Sequence, residues 1–340
     1  MSVTIKQISE LCGVSRGTVD RVLNNRGKVK PETEQKVREV ADRLGYTPNM
    51  AGKALAARKR DLVIGVALVA KGNAFFDDVL SGIRQAGREL ADYGVRVSVH
   101  TMKGYDVSQQ CRMIREVGRG VHALIVNPIN DPQVAAEIDA LTESGVCVIT
   151  VNTDIENTRR LCYVGSDYIR GGETAGGMLG LLTGGKANVG IVTGSVKVLG
   201  HNQRIAGFRN VIRRKYPGIR VADIQETNDD DDQAFEMTGK MLRIHPEIDT
   251  IFIVAAGVMG VCRAVRNFRP QSNMAIVCFD KTPSSEQLLR AGMVKAIICQ
   301  QPFTQGNKAV HLAYDYLVSG KKPEHDSFFM KSEIKIEENL

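Results

Sequence analysis

The feature that most constrains this chain is an alternation of two types of sequence segment that begins near residue 62 and continues almost to the end. Short β-branched runs, typical of strands, alternate with longer runs that have the apolar spacing of amphipathic helices. Strict alternation of this kind predicts parallel sheets with helices on both faces. Because nine or more strands are many for one such sheet, we expect two lobes of four to six strands each. The predicted strands span residues 62–69, 95–100, 123–127, 146–151, 187–192, 221–227, 250–254, 275–279 and 296–299, with a further segment at 163–165.

The first 24 residues have a different pattern, in which two short groups of apolar residues at helical spacing are separated by a tight turn. The turn contains Gly13, which can adopt the positive φ that a tight turn requires. Ser15 follows at the position of a helix N-cap, where its hydroxyl can accept a backbone N–H. Two short helices joined in this way predict a helix-turn-helix, a motif whose second helix lies in the DNA major groove. The apolar residues that define the two helices are Ile5, Ile8 and Leu11, then Val19, Val22 and Leu23.

The residues left on the outer face of the second helix suit a nucleic-acid contact. Arg16 stands near the helix N-terminus and can donate two hydrogen bonds to guanine, so we expect it to read bases. Ser15 and Arg21 suit phosphate contacts, which position a protein without specifying sequence. An ordinary helical hairpin with a solvated charged face is the alternative. The charge distribution favours DNA binding, because residues 1–60 hold thirteen Lys and Arg against six Asp and Glu, whereas residues 61–340 hold 32 of each.

The segment VSRGTVDRVLN resembles the recognition helix of the lac-repressor/galactose-repressor family of bacterial transcription factors. The segment KPETEQKVREVADRLGYTPNMAGKAL, followed by LVIGV, continues the resemblance, which runs the length of the chain. The resemblance implies an all-α helix-turn-helix headpiece over residues 1–46, a hinge helix and linker over 47–60, and an α/β effector domain over 61–340. Three residues depart from the family pattern, namely Asp20 and Lys30 where serine is usual and Gly52 where alanine is usual.

The resemblance also implies which residues of the headpiece and hinge contact DNA. A third helix is expected over residues 31–44, and the hinge helix would enter the minor groove with Leu55 as an apolar wedge. Gly52 should lower the helix propensity of the hinge by roughly 1 kcal/mol, so its folding should depend strongly on DNA. The predicted DNA-binding residues are Thr4, Ser15, Arg16, Gly17, Thr18, Arg21, Asn24, Asn49, Lys53 and Leu55.

By the same resemblance, the effector domain is a two-lobed α/β domain similar to the periplasmic sugar-binding proteins of the ribose type, the type I periplasmic-binding-protein-like fold. Lobe one is expected over about 61–165 and 301–326, and lobe two over about 166–300 and 327–340, with three crossovers between them. A ligand would lie in the cleft between the lobes, at the carboxyl ends of the strands.

Several strand candidates are followed by residues that suit a sugar. The resemblance to the ribose-type proteins implies that Phe75 and Phe76 sandwich a sugar ring, with the alternative that one of them closes the core. The polar residues expected around them supply directional hydrogen bonds but no metal site, so we predict an uncharged polyol and no cofactor. Residues 255–258, Ala-Ala-Gly-Val, stand where ribose-type proteins usually have Asn-Asp, so the pocket there is either poorer in polar contacts or roomier, and the ligand is not expected to be ribose. The predicted ligand-binding residues are Asn73, Phe75, Phe76, Asn152, Thr153, Asn202, Arg204, Asp280 and Gln300.

Two segments imitate other sites. Residues 180–186 match most of a phosphate-binding loop, but Ala187 replaces the required Ser or Thr, and the segment would end a helix rather than open one. The four aspartates at 229–232 lack the ligand spacing of a calcium loop and should instead cap a helix in solvent. For His201, a place in the cleft is possible, but we expect an ordinary loop residue.

The remaining features bear on protein class and compartment. No catalytic motif with its required spacing occurs around the six histidines, so we do not expect an enzyme. Seven cysteines, an odd number without a C-x-x-C pair, indicate buried thiols in a reducing cytoplasm. A cytoplasmic sugar-binding protein of the transport type, without regulatory DNA binding, would explain the body but neither the basic headpiece nor an N-terminus without an apolar signal region.

We therefore expect a cytoplasmic, nucleoid-associated transcriptional regulator, a repressor controlled by a sugar or polyol. It should bind a pseudo-palindromic operator in double-stranded DNA as a homodimer, without membrane association. Neither the identity of the effector nor the direction of its effect follows from the residues.

Overall fold

The computed structural model of the protein describes residues 3–23, 27, 29–46 and 61–340. The headpiece contains α1 (Ile5–Cys12), α2 (Arg16–Leu23) and α3 (Pro31–Arg43). The prediction for α1 was wrong at one position, because Leu11 is 54% exposed and Cys12 packs inward instead. The inner stripe of this two-turn helix runs from Ile8 to the residue four positions later, which is Cys12. The buried core comprises Ile8, Cys12, Val19, Val22, Val37, Val40 and Ala41.

The body contains two six-stranded sheets with helices on both faces, which confirms the predicted α/β fold in two lobes. The strand order is β11-β5-β4-β3-β1-β2 in the first sheet and β12-β10-β9-β8-β6-β7 in the second, for the strands whose bounds follow. These are β1 (Leu62–Val69), β2 (Val95–Met102), β3 (Ala123–Val126), β4 (Cys147–Asn152), β5 (Cys162–Ser166), β6 (Lys186–Thr193), β7 (Gly218–Glu226), β8 (Thr250–Ile253), β9 (Ala275–Phe279), β10 (Ala296–Cys299), β11 (Ser327–Met330) and β12 (Glu333–Lys335).

Helices connect most of these strands, as neighbouring parallel strands usually require. They are α4 (Phe75–Ala91), α5 (Val107–Gly118), α6 (Pro132–Glu143), α7 (Tyr168–Leu182), α8 (Leu199–Lys215), α9 (Asp231–Ile244), α10 (Val258–Phe268), α11 (Pro283–Arg290) and α12 (Pro302–Ser319). The pairing of β10 with β12 is antiparallel, and the other strand pairs in the described body are parallel. The carboxyl ends of the parallel strands in each lobe therefore lie at one edge, where the two lobes meet.

The chain passes between the lobes after β5, after β10 and after β11. The last of these passages corrects a prediction, because residues 327–330 were expected in lobe two, whereas β11 pairs with β5 in lobe one. A four-residue β-type run carries no signal for which of two open sheet edges it joins, since that choice depends on which edge lies nearby in space.

Direct backbone contacts fix the helices that carry the site. A Cβ atom on Gly172 of α7 would lie 1.9 Å from the carbonyl oxygen of Arg204 on α8, so only glycine permits this approach. In lobe one, a Cβ atom on Gly82 of α4 would lie 2.0 Å from the carbonyl oxygen of Phe303 on α12. Both lobes therefore contain helices packed backbone against backbone.

The cysteines are free thiols, and all are buried except Cys299, which is half-buried. Within the part of the chain that the structure describes, no helix is long and apolar enough to cross a membrane.

Candidate DNA-binding surface and effector cleft

Three of the residues predicted to bind DNA also stabilise helix ends. Thr4 caps α1, since its hydroxyl accepts from Gln7 N at 3.3 Å while Thr4 N donates to Gln7 Oε1 at 2.8 Å. Ser15 accepts from Thr18 N at 3.1 Å and shares a hydrogen bond of 2.9 Å with the Thr18 hydroxyl, as the N-cap prediction required. These contacts satisfy backbone donors that a helix N-terminus leaves unpaired, and they hold the start of α2 in place.

The outer face of α2 is exposed at Arg16, Gly17 and Arg21, so these residues are accessible to a duplex. The guanidinium of Arg21 lies along the helix, where its Nε donates to Gly17 O at 3.2 Å. Asp20 is half-buried and lies close enough to Tyr46 to raise the pKa of that phenol, together with burial, which is the larger cause. The unusual carboxylate of Asp20 therefore lies beside the end of the headpiece. The predicted contacts Asn24, Asn49, Lys53 and Leu55 lie outside the described residues.

Between the lobes lies a cavity, at the carboxyl ends of the strands. Eight of the nine predicted ligand-binding residues line it, the exception being Asn202. Three contacts between the lobes enclose it: Tyr105 donates its hydroxyl to Asp229, Asn130 N donates to Lys197 O at 2.8 Å, and Gly200 N lies 3.4 Å from the Thr153 hydroxyl.

Arg204 on α8 is the central cation of the cavity and is only 2% exposed. Its guanidinium carbon lies 3.5 Å from the ring centroid of Phe279 and 4.6 Å from that of Tyr168. Its Nη1 donates to Val254 O, whereas Nε and Nη2 have no hydrogen-bond partner among the described residues. A buried guanidinium with one unpaired edge is costly, so this edge is arranged for an acceptor that the protein itself does not supply.

Asp280 and Gln300 form a second polar pair, placed by the ends of β9 and β10. Gln300 Nε2 donates to Asp280 Oδ1 at 2.6 Å, while Gln300 Oε1 is buried without a partner in the described structure. Burial raises the pKa of the Asp280 carboxyl, an effect that the nearby Arg204 guanidinium and the Gln300 hydrogen bond oppose. The pair therefore presents acceptors to a ligand.

The aromatic pair lies at the start of α4, where Phe75 and Phe76 are 6% and 5% exposed. Their ring centroids are 5.3 Å apart with the planes at 90°, an edge-to-face arrangement. Asn73 Oδ1 accepts from Phe75 N at 3.1 Å and so holds the loop that leads into the helix. Both rings line the cavity and also belong to the core of lobe one, so closing the core does not remove them from the cavity wall.

The prediction for Asn202 was wrong, and its neighbour occupies the cavity instead. Asn202 is exposed, and its side-chain amide donates to Val196 O at 2.7 Å. His201 is 8% exposed and lines the cavity, contrary to our expectation of an ordinary loop residue. His201 Nδ1 lies 3.0 Å from Ser195 N and 3.2 Å from Ser195 O, and burial lowers the pKa of the imidazole. Both residues lie on α8, and the helical turn rather than sequence spacing selects which one faces inward.

The aspartate run was also misjudged at one position. Asp230 caps α9 as predicted, since it accepts from Asp232 N and Gln233 N at 3.1 Å. Asp229 instead lines the cavity, where it accepts from Tyr105 and, at 3.1 Å, from Ala256 N. Burial raises the pKa of Tyr105, so its hydroxyl remains a donor. The signal was available, because Tyr105 and Asp229 both follow the carboxyl end of a strand.

Of the other cavity residues, Asn152 ends β4 and Thr153 follows it, and both were predicted, whereas Asn127 and Tyr168 were missed. Asn127 is buried and its Oδ1 accepts from Val69 N at 2.7 Å. The described residues contain no cluster of three or more metal-ligating side chains. The cavity thus combines one cation, two carboxylates, amides, hydroxyls and aromatic rings.

Comparison with known proteins accounts for both parts of the chain. Residues 4–49 match the lacI family of bacterial regulatory proteins, and residues 64–322 match the periplasmic binding protein domain. The chain belongs to the lacI family, with a periplasmic binding protein domain as its body. This lacI-family protein is similar to catabolite control protein A of Priestia megaterium, with 25% identity over 323 residues that cover 93% of each chain.

Transport proteins resemble the body of this lacI-family protein. Ribose import binding protein RbsB of Bacillus subtilis (strain 168) is 24% identical over 277 residues, covering 81% of this chain and 88% of that protein. The crystal structure of GanP, a glucose-galactose binding protein from Geobacillus stearothermophilus, is 26% identical with a TM-score of 0.76, and the match covers 82% of this chain and 98% of that chain.

The protein is therefore a DNA-binding transcriptional regulator, and its periplasmic-binding-protein-like body implies a small-molecule effector. A transport-type binding protein without DNA binding is not favoured, because the headpiece matches the regulatory family. The matching families describe regulators and binding proteins rather than enzymes.

Proposed function

We propose that the regulator is a repressor whose hold on its operator is controlled by one uncharged sugar or polyol ring in the interlobe cavity. The proposal is carried by the unpaired polar atoms that line the cavity, Nε and Nη2 of Arg204 and Oε1 of Gln300. Each buried donor or acceptor without a partner costs about 1–3 kcal/mol. Because a hydroxyl group both donates and accepts, one ring with several hydroxyls is able to satisfy all three.

The charges around the cavity support an uncharged ligand. Arg204 is the single cation of the described lining, and it stands against the two carboxylates of Asp229 and Asp280. An anionic ligand would bring a third negative charge into an enclosed space, at a desolvation cost that one guanidinium does not offset. Phe75 and Phe76 supply apolar faces that suit the C–H faces of a sugar ring.

On the DNA side, we propose that the regulator acts as a homodimer on a pseudo-palindromic operator. The exposed Arg16 would read bases in each half-site, and Arg21 would contact phosphates. A two-fold operator matches a two-fold protein, because each recognition helix then meets an equivalent half-site one helical turn or more apart.

The ligand would act by changing the balance between lobe arrangements. It would contact Asn73 and Phe75 of lobe one and Arg204 and Asp280 of lobe two, so its binding energy favours the arrangement in which the lobes approach. Coupling to DNA then requires only that the headpieces bind the operator differently in the two arrangements.

The experiment is a thermal-shift panel of aldoses and polyols on the full-length protein, followed by titration calorimetry of any hit. Asp280→Ala and Phe76→Ala should abolish the shift. Asn202→Ala is the matched control, because Asn202 lies on the same helix as Arg204 but is exposed, and this variant should bind as the parent does. If Asn202→Ala loses the ligand while Asp280→Ala keeps it, the cavity assignment is wrong.

The regulatory half of the proposal is tested by gel shift against genomic fragments at several salt concentrations, with and without the hit. A specific complex should weaken as salt increases, because phosphate contacts release counterions. A repressor released by its effector should lose the complex when the sugar is added. No salt-sensitive specific complex at low salt would refute the DNA-binding mode that we propose.

A further inference from the structure

The inner cavity continues into a groove where the chain leaves β8. Residues 255–257, Ala-Ala-Gly, place almost no side-chain volume at this strand end. The groove is roomier than the inner cavity. Six residues line both spaces, namely Asn73, Phe75, Asp229, Ala255, Ala256 and Asp280, so the two spaces are continuous. Of the two possibilities that the sequence left open here, the structure favours the roomier pocket.

The other side of the inner cavity is closed by a side-chain contact. There the Tyr105 hydroxyl donates to the Asp229 carboxylate, a bond that joins lobe one to lobe two. Lys197 Nζ donates to Tyr105 O at 3.2 Å and supports the same closure. Beyond this bond lies a second space, which shares Val69, Asn73, Tyr105 and Asp229 with the inner cavity and is lined by charged residues that include Lys71 and Lys103. Among the described residues, no hydrogen bond between side chains of the two lobes crosses the Ala255–Ala256 side. The side past the two alanines is therefore the less obstructed route for an uncharged ligand that extends out of the inner cavity.

The lining of the groove identifies the kind of group that fits. Thr282 and Ser284 at the start of α11 contribute hydroxyls, which lie 3.2 Å apart, and Phe279 contributes an aromatic face. Asp231 lies at the outer end, where its Oδ1 accepts from Gly260 N at 2.9 Å. The described lining contains carboxylates and no Lys or Arg, so a phosphate or carboxylate substituent is disfavoured. An uncharged unit with hydroxyls and an apolar face is complementary to these groups.

We infer that the effector is a glycoside or disaccharide, with one sugar ring in the inner cavity and a second ring or an uncharged aglycone in the groove. This inference rests on the proposed sugar site and adds its extent. The second unit would leave the first past Ala256, contact Thr282 and Ser284, and reach solvent near Asp231. The groove thereby determines specificity for ligand length, while Arg204, Asp280 and Gln300 determine recognition of the inner ring.

The test compares free sugars with extended forms of the same sugar by titration calorimetry on the full-length protein. The probes are D-galactose against lactose and melibiose, D-glucose against cellobiose and maltose, D-xylose against xylobiose, and the methyl glycosides of all three. We expect one extended ligand to bind at least about tenfold more tightly than its free sugar. Equal affinity for every free sugar and its extended forms would overturn the inference.

Two variants that fill the groove from opposite walls test whether the affinity advantage of the extended ligand arises in the groove. Ser284→Tyr acts from lobe two and leaves the Thr282 cap of α11 in place, and Ala74→Tyr acts from the exposed start of α4 in lobe one. Each should remove the advantage of the extended ligand and keep the affinity for the free sugar. Ser284→Ala is the matched comparison, because it removes one hydroxyl without filling space, and it should reduce the advantage less than either tyrosine variant does.

The outcomes separate this inference from the proposal on which it rests. An advantage that survives both tyrosine variants would show that the second unit lies elsewhere, so the groove assignment would fail while the inner site stands. Binding of free sugars that is unchanged in all variants, with no advantage for extended forms, has the same meaning. If no sugar in either form binds the parent protein, the proposed sugar site itself fails.

Discussion

Replacement of Arg204 by methionine tests whether this residue is built for a ligand or for the fold. The substitution removes a buried guanidinium whose Nε and Nη2 lack partners in the described, ligand-free structure. Relief of two unpaired donors should stabilise the folded protein by about 2–6 kcal/mol. Loss of the hydrogen bond to Val254 O and of the stacking on Phe279 and Tyr168 should cost about 2.5–7 kcal/mol. The two ranges nearly cancel.

We therefore expect Arg204→Met to change the free energy of unfolding by less than about 2 kcal/mol, whereas breaking a buried charged contact that serves the fold typically costs about 3–5 kcal/mol. Binding of the effector should be lost completely, because methionine cannot donate to it. The assay is urea unfolding of the ligand-free full-length protein, followed by circular dichroism, together with titration calorimetry.

The control for this experiment is Asn202→Ala, a change on the exposed side of the same helix that should lie within about 0.5 kcal/mol of the parent. A loss of more than about 4 kcal/mol in Arg204→Met would mean that Arg204 serves to hold lobe two together. That result would refute the argument that its unpaired edge awaits a ligand.

Three further predictions follow from the described contacts. Gly172→Ala should lower the free energy of unfolding by at least about 2 kcal/mol, because its Cβ would lie 1.9 Å from the Arg204 carbonyl oxygen. Gly177→Ala on the same helix has open space around it and should be neutral or stabilising. Thermal unfolding of the two variants distinguishes these outcomes. Asp280→Asn should stabilise the ligand-free protein at pH 7. Burial raises the folded-state pKa of Asp280 above its ordinary value of 3.8, so stability is lost as the pH rises through the folded pKa, and the gain from asparagine should vanish in unfolding curves measured below pH 3.8. Arg16→Ala should weaken binding to the operator by about 1–3 kcal/mol while leaving non-specific DNA binding nearly unchanged in gel shifts at fixed salt.

The site residues that sequence reasoning found, apart from Arg204, share one property: they end a strand, follow it, or begin the helix after it. Asn73, Thr153, Asp280 and Gln300 all stand at the carboxyl ends of predicted strands, and parallel topology brings such ends to one edge. Arg204 is different, since it lies one turn into α8 and was found through the family resemblance. Its position in space depends on the backbone contact with Gly172, which no local pattern reveals.

The residues that sequence reasoning missed depend on tertiary contacts, between the lobes or between helices of one lobe. Tyr105 and Asp229 are 124 positions apart and become a pair only when the lobes approach. His201 replaced Asn202 in the cavity because the rotation of α8 is set by packing against α7 over its whole length. In the headpiece, Cys12 replaced Leu11 for the same reason, since hydrophobicity alone does not choose between adjacent positions of a short helix.

The amino-acid sequence by itself determined the order of elements, the helix-turn-helix with its cap at Ser15, and the strand ends that converge on a cleft. These properties depend on residues close together in the chain, through periodicity, turn geometry and capping. Only the tertiary structure decided that β11 joins lobe one, that Tyr105 closes one side of the cavity, and that the alanines after β8 leave a groove on the other. Those outcomes depend on which surfaces meet in space, and the free energy of such contacts is absent from any local stretch of sequence.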